Sequence, residues 1–335
     1  MVTIADVAQA AGVSIATVSR VLSPGAVPHP VRPDTADRVR EAARRLNFIP
    51  SPLARGLAAR RSGLIGLIVP DLADPHYPQI AIGVEDGARE AAMAALICNT
   101  LGEVDRLVEY MQLLQARRVD AVVLSGATSL NAVELMTLQR WDVPMVLIGR
   151  PATQVQWTHV SIDNRLGARL ATRHLIQLRR QRIVHLSGPR TQTTMADRVR
   201  GYADEMAGRE VDVVDSNGTP EDGYARLAAR FEREPAPDAV FAATDRLAVA
   251  ALALAADRSL HVPRDLAVVG FDDIPLASQL RPTLSTVAQP AYTLGSVAVE
   301  MARQVVAGEA SPPRVLAPKL VERQSTRGPG GRFSR

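Results

Sequence analysis

A single cysteine, Cys98, rules out any disulfide within the chain. It sits in the apolar run MAALIC, where a buried, unreactive thiol is the expectation rather than a nucleophile. Lysine is as scarce, with Lys319 alone, so cationic work falls to arginine. No uncharged apolar run approaches the ~18 residues that span a bilayer, and Met1 leads straight into a helical pattern with no leader before it. A cytoplasmic protein with no membrane partner is expected. Also missing are a P-loop, a G-x-G-x-x-G after a strand, a G-x-S-x-G elbow and a spaced set of metal ligands. The chain reads as a non-enzyme without cofactor or metal.

What remains is ample: 335 residues, 47% of them hydrophobic, enough for two or three domains with real cores. The net charge of +4 is unevenly spread. Up to Arg61 there are nine arginines against Asp6, Asp34, Asp37 and Glu41, a net +5, which leaves the rest close to neutral. A small basic module on a neutral body suits a polyanion at one end and a different partner for the other.

The segment Thr3–Leu22, TIADVAQAAGVSIATVSRVL, reads as two short amphipathic helices about a Gly12-Val13 corner. Thr3 can cap the first, with Asp6 near its positive end, and Ser14 can cap the second. Val18, Val21 and Leu22 point inward, leaving Ala16, Thr17, Ser19 and Arg20 on a small, polar, basic face. With a third helix such a pair forms the helix-turn-helix that lays its second helix in the DNA major groove. A plain helix pair is the alternative. The third helix is expected from Pro33 to about Leu46, striped by Val39, Ala42, Ala43 and Leu46, after a turn-rich connector at 23–33. Asn47 suits a left-handed exit. Residues 51–61, SPLARGLAARR, have helical spacing but are too short to hold a helix alone. Leu57 among Arg55, Arg60 and Arg61 reads equally as a minor-groove wedge or as a linker residue packed on the body.

From Ser62 short β-branched runs alternate with helical stretches: LIGLIVP, ALIC, AVVLSG, PMVLIG, HVSI, RIVHLSG, VDVVD, AVFAAT and LAVVGFDD are the strands. Helices are expected at 79–93, 103–118, 164–179, 197–207, 222–234 and 246–258. Such alternation predicts an α/β body of two parallel sheets, with ligands beyond the carboxyl ends of the strands.

These motifs, with NFIPSPLARGL, LIGLIVPDLADPHY, VSIDNRLGARLATRHL, RVRGY, FAATDRLAVAALALA, VPRDLAVVGFDDIPLA, RPTLSTVAQP and PKLVERQST in order, resemble the LacI/GalR family of bacterial transcription repressors from Thr3 to about Thr326. The resemblance implies an all-α helix-turn-helix headpiece (1–50), a hinge (51–61), and a two-lobed α/β effector domain like periplasmic sugar-binding proteins (62–326). Its lobes would be about 62–160 with 291–320, and 161–290 with 321–326. Residues 327–335 are expected to be a disordered tail. They lack leucine heptads, which argues against a tetramer through a coiled coil.

The resemblance assigns base contacts to Ile15, Ala16 and Arg20, and arginine can grip guanine at two points. For Ile15 the apolar-face alternative is a headpiece core position. Thr3, Ser14, Thr17 and Ser19 are better phosphate anchors. Leu57, with Arg55, now tilts to the minor groove. For the effector the resemblance points to His76, Tyr77, Thr194, Arg198, Thr244 and Asp272, and Arg150, next to the family position at Gly149, is added as a candidate. Arg198, and Asp273 beside Asp272, read equally as structural ion-pair or capping residues. Gly149 and Gly218 stand where many members carry a carboxylate and a stacking ring, and Thr244 replaces a usual Asn. Arg150 and Arg190 point to an anionic effector, a sugar acid or sugar phosphate, beside an ordinary sugar. The function implied is a homodimeric repressor on a near-palindromic, double-stranded operator, resident on the nucleoid, with the effector coupled to DNA through lobe closure and the hinge. A solute-binding transport protein and an α/β enzyme are the rivals.

Overall fold

A computed structural model describes residues 2–22, 31–48, 61–151 and 156–327. Leu57, Arg55 and the tail after Arg327 lie outside the described residues, as does most of the 23–33 connector. The described residues up to Leu64, with Arg117–Asp120, form one compact unit and the remainder of the body a second.

The N-terminal unit holds α1 (Ile4–Ala11), α2 (Ile15–Leu22) and α3 (Pro33–Arg45). Thr3 and Asp6 form a reciprocal cap, Thr3 N donating to Asp6 Oδ2 at 2.7 Å. That bond holds the Asp6 carboxyl below its ordinary range. Gly12, at φ 65°, ends α1, and Ser14 Oγ accepts from Thr17 N to start α2. Val7, Val18 and Val39 are fully buried where the three helices meet, with Val21, Leu22, Leu46 and Phe48 packed around them. Asn47 leaves α3 at φ 48°, as expected, and Arg32 supplies no side-chain cap.

The body contains two six-stranded sheets. In chain order its elements are β1 (Leu64–Val69), α4 (His76–Glu90), β2 (Ala94–Asn99), α5 (Val104–Ala116), β3 (Ala121–Ser125), α6 (Ala132–Leu138), β4 (Met145–Ile148) and β5 (His159–Ile162). Then follow α7 (Asn164–Gln177), β6 (Ile183–Ser187), α8 (Thr193–Glu205), β7 (Asp212–Asp215), α9 (Pro220–Phe231), β8 (Ala239–Ala242), α10 (Asp245–Asp257) and β9 (Ala267–Asp272). Last come β10 (Ser285–Ala288), α11 (Ala291–Val306), β11 (Arg314–Leu316) and β12 (Lys319–Val321). The first sheet runs β11-β5-β4-β3-β1-β2 and the second β12-β10-β9-β8-β6-β7. Pairing is parallel along β11-β5-β4-β3-β1 in the first sheet and β10-β9-β8-β6-β7 in the second, and antiparallel between β10 and β12. The chain passes between sheets after β5, after β10 and after β11. The fold class is the one expected: a helical headpiece and a two-lobed, mostly parallel α/β body.

Strand interiors such as Ile65, Leu67, Val123, Val146, Val184, Phe241 and Val269 are buried on both faces, which is why they read as unbroken apolar runs. Helix α4 lies so close to α11 that a Cβ on Gly83 would fall 2.0 Å from the Tyr292 carbonyl oxygen. Cys98 is buried and its thiol is pushed up by that burial. No helix among the described residues is long and apolar enough to cross a membrane.

Candidate functional site

On the headpiece the exposed face of α2 carries Ile15, Ala16, Ser19 and Arg20. Ile15 is 51% exposed, which excludes the core reading of its apolar side chain. Arg20 pairs with no carboxylate among the described residues, so its guanidinium is available to an outside acceptor. Ser14 Oγ and Thr17 Oγ1 lie 3.0 Å apart at the start of α2, beside the helix's free N–H groups, while Thr3 is exposed at the start of α1. Hydroxyls and amides at helix N-termini suit phosphate oxygens.

In the body a cleft of about 460 Å³ opens between the two sheets. Its walls are loops at the carboxyl ends of strands in both lobes, where each doubly wound sheet reverses strand order. The first lobe brings Asp71, Asp74, His76, Tyr77, Ser125 and Thr128. The second brings Asn164, Thr194, Arg198, Thr244, Arg246 and Asp272, and Gln289 lies at a crossing. Six of the seven effector residues expected from sequence therefore line one cavity: His76, Tyr77, Thr194, Arg198, Thr244 and Asp272.

At the floor lies Arg198, with 3% of its surface exposed. Its Nε donates to Asn164 Oδ1 at 2.9 Å, Nη1 donates to the Ala243 carbonyl, and the guanidinium stacks 3.7 Å above the Phe271 ring. Asp272 Oδ1 lies 3.8 Å from Nη1 and accepts from Gln289 Nε2. Burial lowers the Arg198 pKa and raises that of Asp272, each opposed by the other's charge. Asp272 sits at φ 123°, an uncommon backbone state at the strand end that carries its carboxylate into the cleft. Behind it Asp245 is fully buried and accepts from Ile274 N at 2.9 Å and from Thr286 Oγ1. Burial, with Asp272 near, holds the Asp245 carboxyl above its ordinary range. Thr244 caps α10 through Leu247 N, and Asp273 pairs with Arg323 at 2.7 Å, the structural role weighed for it.

Arg150 departs from expectation. It does not line the cleft: its Nη2 donates to Asp197 Oδ2 at 2.6 Å, and the side chain is half exposed beside the lobes. Arg190 is likewise bound, to Asp215. The glycine at 149 has a local cause, since at φ 101° a Cβ would meet Thr128 Cγ2 at 2.6 Å. Any side chain there strains the loop. Gly218, at φ 89°, lines the wall against Pro189. Sequence reasoning missed Asp74, Asn164, Arg246 and Gln289 as wall residues. Their signal was position alone, each following a strand's carboxyl end.

Residues 3–51 match the family "Bacterial regulatory proteins, lacI family" and residues 172–326 the "Periplasmic binding protein-like domain". The chain is 36% identical to the ribose operon repressor of Halalkalibacterium halodurans, covering 98% of each chain. It is 32% identical to catabolite control protein A of Priestia megaterium over 97% of this chain and 99% of that one. Among solved structures it resembles the Lac repressor dimer bound to operator and the anti-inducer ONPF (26% identity, TM-score 0.85, 97% and 99% covered). A complex of the transcriptional regulator CelR with cellobiose is also similar (30% identity, TM-score 0.73, 97% and 100% covered). With a helix-turn-helix unit, a two-lobed α/β body and relatives that are transcription regulators rather than enzymes, this chain belongs to the LacI family of bacterial regulatory proteins.

Proposed function

We propose that the chain is a dimeric repressor, acting on chromosomal DNA, which grips a near-palindromic operator through α2 and responds to a neutral sugar in the cleft. Residues 1–50 form the reader, 51–61 the hinge, and 62–326 the effector-binding and dimerising body. One observation carries the choice of a neutral sugar. The cleft presents three carboxylates, Asp71, Asp74 and Asp272, against Arg198 and Arg246, and both guanidiniums are already paired. An anionic sugar would meet no unpaired cation, whereas hydroxyls can donate to Asp272 and accept from Asn164, Gln289 and Arg198. Two similar proteins are named ribose operon repressors, which makes D-ribose the first sugar to test.

The test is operator release or retention, measured by fluorescence anisotropy with an operator selected from random DNA. Neutral pentoses and hexoses are compared with their phosphates and acids. A response to a neutral sugar and none to its phosphate is expected; the reverse preference would overturn the reading. At the reader, Arg20→Ala is expected to cost about 1–3 kcal/mol at one base pair per half-site and relax preference there. A loss equal across all sequences would make Arg20 a phosphate contact instead.

A further inference from the structure

Two ion pairs join the lobes with opposite polarity. Asp74, in the loop before α4 of the first lobe, accepts from Arg246 Nη1 on α10 of the second at 3.2 Å. Arg150, after β4 of the first lobe, donates to Asp197 Oδ2 on α8 of the second at 2.6 Å. Thr193 Oγ1, also on α8, donates to the Arg150 carbonyl at 2.6 Å. Each lobe thus supplies one carboxylate and one guanidinium. Uniformly charged lobes would attract in many orientations, but alternating signs favour one mutual seating. Both pairs are made directly between the protein's own side chains.

We infer that these two opposed pairs form a clasp that draws the lobes together without effector and sets the closing equilibrium on which the sugar acts. The inference rests on the cleft being the effector site, but the clasp itself is an interaction between lobes. Its strength is modest. All four side chains keep partial contact with solvent, from 20% to 49% exposed, so each pair shifts the closed-to-open ratio about two- to fivefold. Salt screens it. A ligand that binds only seated lobes feels that ratio in its apparent affinity, so even an uncharged sugar inherits a salt dependence. Arg150 and Asp197 lie off the cleft wall, so any effect of theirs must pass through closure.

Double electron–electron resonance on the full-length chain, with one spin label on α5 and one on α9 in a Cys98→Ser background and no sugar present, tests this. Raising NaCl from about 0.05 to about 0.5 M should move population to longer distances. Arg150→Gln and Asp197→Asn should each do the same at low salt. Asp74→Arg should open the cleft, and Asp74→Arg with Arg246→Asp should close it again by restoring the pair in reverse. Identical distance distributions in wild type and all variants, at both salts, would overturn the clasp. Because these distances are read without ligand, a salt-sensitive clasp in a protein that binds no sugar would sink the effector reading alone. D-ribose binding with unchanged affinity in Asp197→Asn would sink the clasp alone.

Discussion

Arg198→Ala should abolish the response of operator binding to sugar and lower the stability of the body by about 3–5 kcal/mol, the cost of breaking a buried charge pair from one side. The guanidinium serves several groups at once: Asn164 Oδ1, the Ala243 carbonyl, the Phe271 ring and the Asp272 carboxylate. Alanine leaves two acceptors unmet and one carboxylate, 9% exposed, without its nearest positive charge. Asp272 would then hold its proton to higher pH, since burial already raises its pKa and Arg198 is the foremost influence opposing that. Arg198→Lys should recover charge but not function, because an ammonium cannot reach these partners in one planar fork. Urea unfolding and operator titration with sugar check both halves. A variant within 1 kcal/mol of wild type that still answers sugar would refute the assignment.

The same residue shows what sequence could and could not reveal. Arg198 was found by its place in RVRGY, yet sequence left it divided between ligand contact and structural pairing. The structure supplies the pairing role, since its bonds to Asn164 and Ala243 hold it in place where it lines the cleft. Seven of the nine strands read from sequence were legible as buried apolar runs, and HVSI matched β5 to the residue. β2 and β7, at the sheet edges and only partly buried, were legible from their apolar and β-branched residues alone. The three missed strands are the last in the chain. β10 is the small-residue run STVA, and β11 and β12 are three residues each, held by pairing with distant strands instead of by local composition. Helix α11 also went unread, although its apolar period is as clear as that of helices that were found; Gly295 and the alanines of its buried face mark its close packing on α4. Arg150 was misplaced because sequence locates a residue after a strand but not the direction of a long side chain. Its carbonyl and guanidinium both turn to α8, away from the cavity.

A second large effect concerns acid stability and His185. The ring is fully buried in the second sheet, stacked 4.4 Å from Phe241 and 5.3 Å from Tyr202. Nδ1 bonds the Phe241 carbonyl at 2.9 Å, and Nε2 has no partner among the described residues. Burial pushes its pKa down to about 3, with the nearby Arg198 charge adding to the effect. The unfolded chain takes up this proton near its ordinary value of 6.5, so between the two values unfolded molecules bind more protons than folded ones. Folding stability is therefore lost as pH falls from about 6.5. His185→Phe should remove that loss: relative to wild type, the variant should gain about 1.4 kcal/mol per pH unit below 6.5, some 3 kcal/mol by pH 4. At pH 7 it should be the less stable of the two, because the Phe241 carbonyl loses a donor. Asp245, whose raised carboxyl gives a slope of opposite sign, and His174, lowered by burial, are present in both proteins and cancel in the difference. The wild-type curve alone would hide the effect; the difference curve isolates it. Denaturant unfolding of both proteins at intervals from pH 7 to pH 4 provides the measurement, and a flat difference across that range would mean that His185 takes up its proton at the same pH in the folded and unfolded chain.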